Sequence, residues 1–211
     1  MQRAAIGVRT HSGWAALVAV TRCADAVEVL ARRRALLIAS NIPGTKQPYH
    51  HSENLALPEA EKFLRQCASA SERLAAKALG DLLVELRDRQ YSVVGCALLL
   101  ASGRELPSLD KILASHALIH AAEGEFFRHA ISSGCTRLSV PVTGIRERDL
   151  RQKLQRACGE RAEKIEEEIS ALGRSLGPPW TQDQKAAAMG GFTVLVEAGH
   201  SSRRQAATAS H

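Results

Sequence analysis

Residues 4–39 hold three consecutive apolar stretches of strand length with no helical spacing among them, and this feature constrains the fold more than any other. The first covers 4–11, a Ser12-Gly13 turn follows, the second covers 14–21, and a turn at Ala24-Asp25 leads into the third, 26–38. Gly13 supplies the permissive backbone that a tight hairpin demands. Chain segments this close in sequence pair antiparallel, so a three-stranded meander is expected, with Arg32, Arg33 and Arg34 marking its solvent-facing edge.

The pattern then changes period. Residues 40–57, with Pro43, Gly44, Pro48 and the group Tyr49-His50-His51, read as a long loop, and loops of that length in compact domains commonly carry function. Pro58 opens a helix to about Arg89, since Phe63, Cys67, Leu74, Ala78, Leu82 and Leu86 recur at helical spacing. Residues 93–100 form a continuous apolar run, as a strand buried on both faces requires. A second helix is expected from Pro107-Ser108 to about Ser132, then a strand over 136–142 ending at Thr143-Gly144. Leu150, Leu154, Ile165, Ile169 and Leu172 keep a stripe through a charged helix, with a break at Gly159. Gly177-Pro178-Pro179 punctuates the chain before a last helix, where Thr181 and Gln184 have capping-box spacing. One domain over 1–198 is expected: meander (4–39), loop (40–57), alternating helices and strands (58–177) and C-terminal helix (178–198), followed by a disordered tail over 199–211.

The expected fold is α/β, with helices on both faces of a mixed five-stranded sheet in a three-layer domain. This succession of strands and helices resembles the ribonuclease H-like superfamily, which includes actin-like ATPase halves, nucleases and resolvases. Members that cleave nucleic acid place an Asp in the first strand and further carboxylates after the fourth strand and in the last helix, where they hold divalent metal. Here the first strand reads Ala4-Ala5-Ile6-Gly7-Val8-Arg9-Thr10-His11, without an acid. Two-metal chemistry needs carboxylate oxygens, so the resemblance carries over a fold and no catalytic residue.

Composition narrows the setting. Aromatic residues are only 4% of the 211, so the core is built from Ala, Leu, Val and Ile. Five widely spaced cysteines without a CxxC pair read as reduced thiols. The first seven residues lack the apolar core of an export signal, and no run reaches the ~18 apolar residues of a membrane span. A cytoplasmic protein without a membrane partner is expected. The net charge of +6 suits nucleic acid or a nucleotide, although no basic stripe with interleaved aromatics is visible.

The most informative segment is His116-Ala-Leu-Ile-His120-Ala-Ala-Glu123. With Ile112 as origin, His116, His120 and Glu123 fall at about 40°, 80° and 20° on a helical projection, on the face of Ile119, Phe126 and Phe127. Ionisable groups on an apolar face need partners. His and Glu can satisfy each other structurally; they can bind one divalent transition metal, with His50 or His51 arriving from the loop; or a His paired with Glu123 can act as a general base. A second cluster gathers loop ends: Thr10, Ser12 and Gly13; Ser102, Gly103 and Arg104; Thr143, Gly144 and Arg146. Small residues with Arg beyond strand ends suit an anion or phosphate. Equally, they are ordinary turn chemistry. Asp183 and Lys185, after Trp180, lie where a last-helix carboxylate would complete an active site. Lys46 is no Walker lysine, because GxxxxGK[ST] is absent. Two functions fit these residues. One is a hydrolase or transferase acting on a phosphorylated or nucleic-acid substrate, with His116, His120, Glu123 and Asp183 as catalytic candidates and Thr10, Ser12, Ser102, Gly103, Arg104 and Lys185 as ligand-binding candidates. The other is a non-catalytic module that binds nucleic acid or protein.

Overall fold

The computed structural model describes residues 1–23, 26–39, 41–101 and 105–208. Gly13, at φ +85°, reverses the chain between β1 (Gln2–His11) and β2 (Trp14–Cys23), which pair antiparallel from Ala4 opposite Thr21 to His11 opposite Trp14. β3 (Ala26–Leu36) completes the antiparallel meander. β4 (Tyr91–Leu100) and β5 (Val142–Arg146) add in parallel on the other side of β1, giving the order β3-β2-β1-β4-β5.

The period-two alternation sends Ala4, Ile6, Val8 and Leu17 to one face and Ala5, Val18 and Val20 to the other. The first face packs on Leu79, Leu82 and Leu86 of α2 (Leu57–Asp88) and on Phe127 and Ile131 of α4 (His116–Arg137). The second packs on α5 (Leu150–Cys158), α6 (Ala162–Ala171) and α8 (Gln182–Thr208) through Leu154, Ile165, Phe192 and Leu195. Helices thus cover both faces of a mixed five-stranded sheet, as expected.

α8 crosses β1 at almost backbone contact. A Cβ on Gly7 would lie 1.7 Å from the Ala187 carbonyl oxygen, and one on Gly191 would lie 2.9 Å from the Gly7 nitrogen. Glycine on both partners allows a helix to lie this close to a strand.

Four expectations need correction. The 40–57 loop contains a short helix, α1 (Pro48–Ser52), started by Pro48 at its first position. The single helix expected from 107 to 132 is two, α3 (Leu109–Leu113) and α4, because Ser115 is extended at φ −140° and ψ 113°. An angular projection counted from Ile112 therefore crosses a break. β5 starts later than expected: Thr136 and Arg137 finish α4, Ser139 at φ +56° turns the chain, and Thr143 and Gly144 lie inside the strand. Finally, α8 continues past Ala198 to Thr208, since Ala, Arg and Gln sustain a helix without an apolar stripe. The break at Gly159 (φ +60°) and the capping box are as expected: Thr181 N–H donates to Gln184 Oε1 at 2.9 Å and Gln184 N–H to Thr181 Oγ1 at 3.5 Å. A four-residue α7 (Gly173–Leu176) precedes the proline pair.

Candidate metal centre and sheet end

α4 is the crossover from β4 to β5, so its N-terminus sits at the carboxyl end of the parallel strands. His116 is its first residue and His120 follows one turn later, which brings the two imidazoles edge to face with their Nε2 atoms 3.0 Å apart. α1 brings His50 to them, with ring centroids 5.4 Å from His116 and 4.7 Å from His120. One nitrogen from each of the three rings falls within 4.8 Å of the others. Distances of ~2.0–2.1 Å from a common ion are within reach of such a set after small ring adjustments, and imidazole triads suit zinc and its neighbours.

Glu123 plays a different part from the one its sequence position suggested. It is 3% exposed, whereas His116 and His120 are exposed, so the three do not share one buried face. Its Oε1 accepts the Tyr49 N–H at 2.9 Å and the His50 N–H at 3.1 Å, and lies 3.2 Å from His50 Nδ1. The carboxylate thereby holds α1 against α4 and fixes the His50 ring beside the other two imidazoles. This is the arrangement by which an outer carboxylate fixes the tautomer and basicity of a ligating histidine. Burial raises the Glu123 carboxyl above its usual range, against the lowering effect of the His50 and Tyr49 hydrogen bonds. Its Oε2 is buried and without a partner. His51 turns away from the cluster, its ring 4.5 Å from that of Phe63.

The sheet end around Asp183 has another character. Arg9, near the end of β1, reaches Glu147 with Nε and Nη2 at 2.9 and 2.7 Å and Asp183 with Nη1. Hydrogen bonding to Glu147 and the two negative charges hold the guanidinium above its already high value, against partial desolvation. His11 Nε2 lies 3.0 Å from Asp183 Oδ1, and its ring stacks on Trp14 at 4.4 Å, with the Arg34 guanidinium 4.2 Å from the Trp14 ring centre. The sequence reading missed Arg9, Glu147 and His11. A charged residue in an otherwise buried strand was the signal that could have found Arg9. Both carboxylates at this end are thus engaged by a protein cation, an arrangement that leaves them ill suited to hold a pair of divalent ions.

Of the remaining candidates, Ser102, Gly103 and Arg104 lie outside the described residues. Thr10 and Ser12 sit at the end of β1 and in the hairpin turn, and Lys185 in the first turn of α8. No side-chain hydrogen bond joins these three among the described residues. No described helix is long and apolar enough to cross a membrane.

No family model and no curated protein matches the sequence. Solved structures do match. "T. thermophilus RuvC in complex with Holliday junction substrate" superposes with a TM-score of 0.54 at 11% identity over 94% of this chain and 96% of that one. "Thermus thermophilus RuvC structure" gives 0.52 at 11% identity over 90% and 91%. Identity this low speaks to architecture alone, and it agrees with the strand order found here: the chain has a ribonuclease H-like fold.

Proposed function

We propose that this protein is a metal-dependent hydrolase of phosphate esters, with nucleic acid or a nucleotide as the substrate class, and that its centre is His50, His116 and His120 on the α1/α4 flank. The observation that carries the reading is the convergence of three imidazoles within 4.8 Å, one of them oriented by a buried carboxylate. A divalent transition metal there would supply Lewis acidity toward a phosphoryl oxygen. His50, His116 and His120 would be its protein ligands, and the exposure of His116 and His120 would leave such an ion accessible to water or substrate. The +6 net charge favours a polyanion, and one structural neighbour was solved on a Holliday junction.

Elemental analysis of protein prepared without chelator tests the reading. About one equivalent of zinc, manganese, iron or nickel is expected per chain, falling to background in a folded His116→Ala/His120→Ala variant. Hydrolysis of bis(4-nitrophenyl) phosphate should follow the metal. Parent protein without metal or turnover overturns the proposal.

A second reading has its own support. Arg9 ties up Glu147 and Asp183, as fits a domain that keeps the ribonuclease H-like fold to bind rather than to cut. Such a module would bind DNA or RNA with strong salt dependence, and with equal affinity in the double histidine variant.

A further inference from the structure

Between α2 and α4, roofed by α1, lies a cavity of about 320 Å³. Its walls are Tyr49 of α1, Leu64 and Ala68 of α2, Leu106, and Ala122 and Phe126 of α4. We propose that this cavity is a subsite for the uncharged ring of the substrate, an aryl group or nucleobase whose phosphate is held at the histidine cluster; the inference rests on the metal-centre reading above.

Three observations support this subsite. First, most of the lining residues are aliphatic or aromatic, with the Tyr49 and Phe126 rings edge to face at 6.2 Å and Arg65, Glu72, Glu125 and His129 among them, and the volume falls at the lower end of the range for small-molecule pockets. Second, two of the charged side chains in the lining have an ionic partner within the protein, Arg65 with Glu61 and Glu125 with Arg128, and Glu72 lies 3.6 Å from the His129 ring. Arg65 and Glu125 are thus already engaged, and a charged ring would give up water there for little compensation, whereas an uncharged ring would not. Third, it is tied to the cluster by the chain itself. Tyr49 lines the cavity and His50 faces the other imidazoles, with adjacent Cα atoms about 3.8 Å apart. On the opposite wall Ala122 lines the cavity and its neighbour Glu123 orients His50. A substrate bridging the two would place its ring against Tyr49 and its anionic end at the imidazoles.

Calorimetric titration of the zinc-loaded full chain tests the assignment with three probes: 1-naphthyl phosphate, methyl phosphate and 2-naphthol. Naphthyl phosphate should bind about tenfold or more tighter than methyl phosphate, since only the first buries a ring. Ala68→Phe, which fills the cavity from the α2 side away from the histidines, should bring the ratio towards one with metal content unchanged. Ala68→Leu serves the same purpose should the larger residue fail to fold. Equal affinities for the two phosphates in the parent, or a preference that survives both fillers, overturn the subsite. If the chain binds neither metal nor phosphate, 2-naphthol separates the two ideas. Its binding to the parent and loss in the filled variant uphold a ring pocket while the metal centre fails, and no binding overturns both.

Discussion

Glu123 concentrates more consequence than any other single side chain. One oxygen serves two backbone N–H groups and an imidazole nitrogen, so truncation orphans donors in a site that water barely reaches. Glu123→Ala should cost about 2–4 kcal/mol in urea denaturation and weaken metal binding about 10- to 100-fold. Glu123→Gln keeps an acceptor and should be milder on both counts. The thiols offer a second check. Cys67, Cys96 and Cys135 are buried and Cys23 is exposed. Burial, followed by the Glu123 charge, pushes Cys67 up to about 11 from an ordinary 9.0. A raised value means the neutral thiol suits the fold: its contribution to stability is intact below pH 9 and fades as pH climbs through 11. Iodoacetamide at pH 8 should therefore label Cys23 readily and spare Cys67, Cys96 and Cys135 until the chain is unfolded; early labelling of Cys67 would contradict its burial. The pairing of His116 with His120 was legible at the residue scale because helical spacing implies it. The partnership of Glu123 with His50 was not, because it joins residues 73 positions apart through a loop whose path no local pattern encodes.

Elements were legible where periodicity ran unbroken. The meander, α2 and β4 follow from alternation, helical spacing and a continuous apolar run, each of which reports burial by a neighbouring layer. Boundaries were lost where backbone conformation changes without a change in polarity. Ser115 breaks the helix inside a sequence that would carry it through, and Ser139 takes up positive φ in a stretch that looks extended. The close approach of α8 to β1 was likewise invisible, since Gly7, Gly190 and Gly191 look like ordinary punctuation until α8 lies across β1. Gly7→Ala should cost more than about 3 kcal/mol or prevent folding, because the added methyl would meet the backbone of Ala187 rather than a side chain able to move. Gly159→Ala is the control. It has open space around it, but φ +60° with ψ −138° is a conformation kept almost to glycine, so about 1–3 kcal/mol from backbone strain alone is expected in the same denaturant titration.

On the scale of the whole molecule, the two polar constellations flank the same end of the sheet, one against α4 and the other at the start of α8. They differ in where their positive charge comes from. At the α8 end it is part of the chain: Arg9 bridges Glu147 and Asp183 and offsets part of their charge through bonds that no solute needs to complete. At the α4 end it would come from solution. Thermal melting should therefore respond to chelator through the α1/α4 flank alone. EDTA should lower the parent's Tm towards that of the His116→Ala/His120→Ala variant and leave the variant's own Tm unmoved. Arg9→Met should reverse that pattern, making stability depend on added Mg²⁺ or Ca²⁺ as two neighbouring carboxylates seek a replacement counter-ion. Arg9 is in this sense a built-in electrolyte: with a counter-charge covalently supplied and shared by both carboxylates, the repulsion between them is eased whether the surroundings are rich or starved in divalent cations.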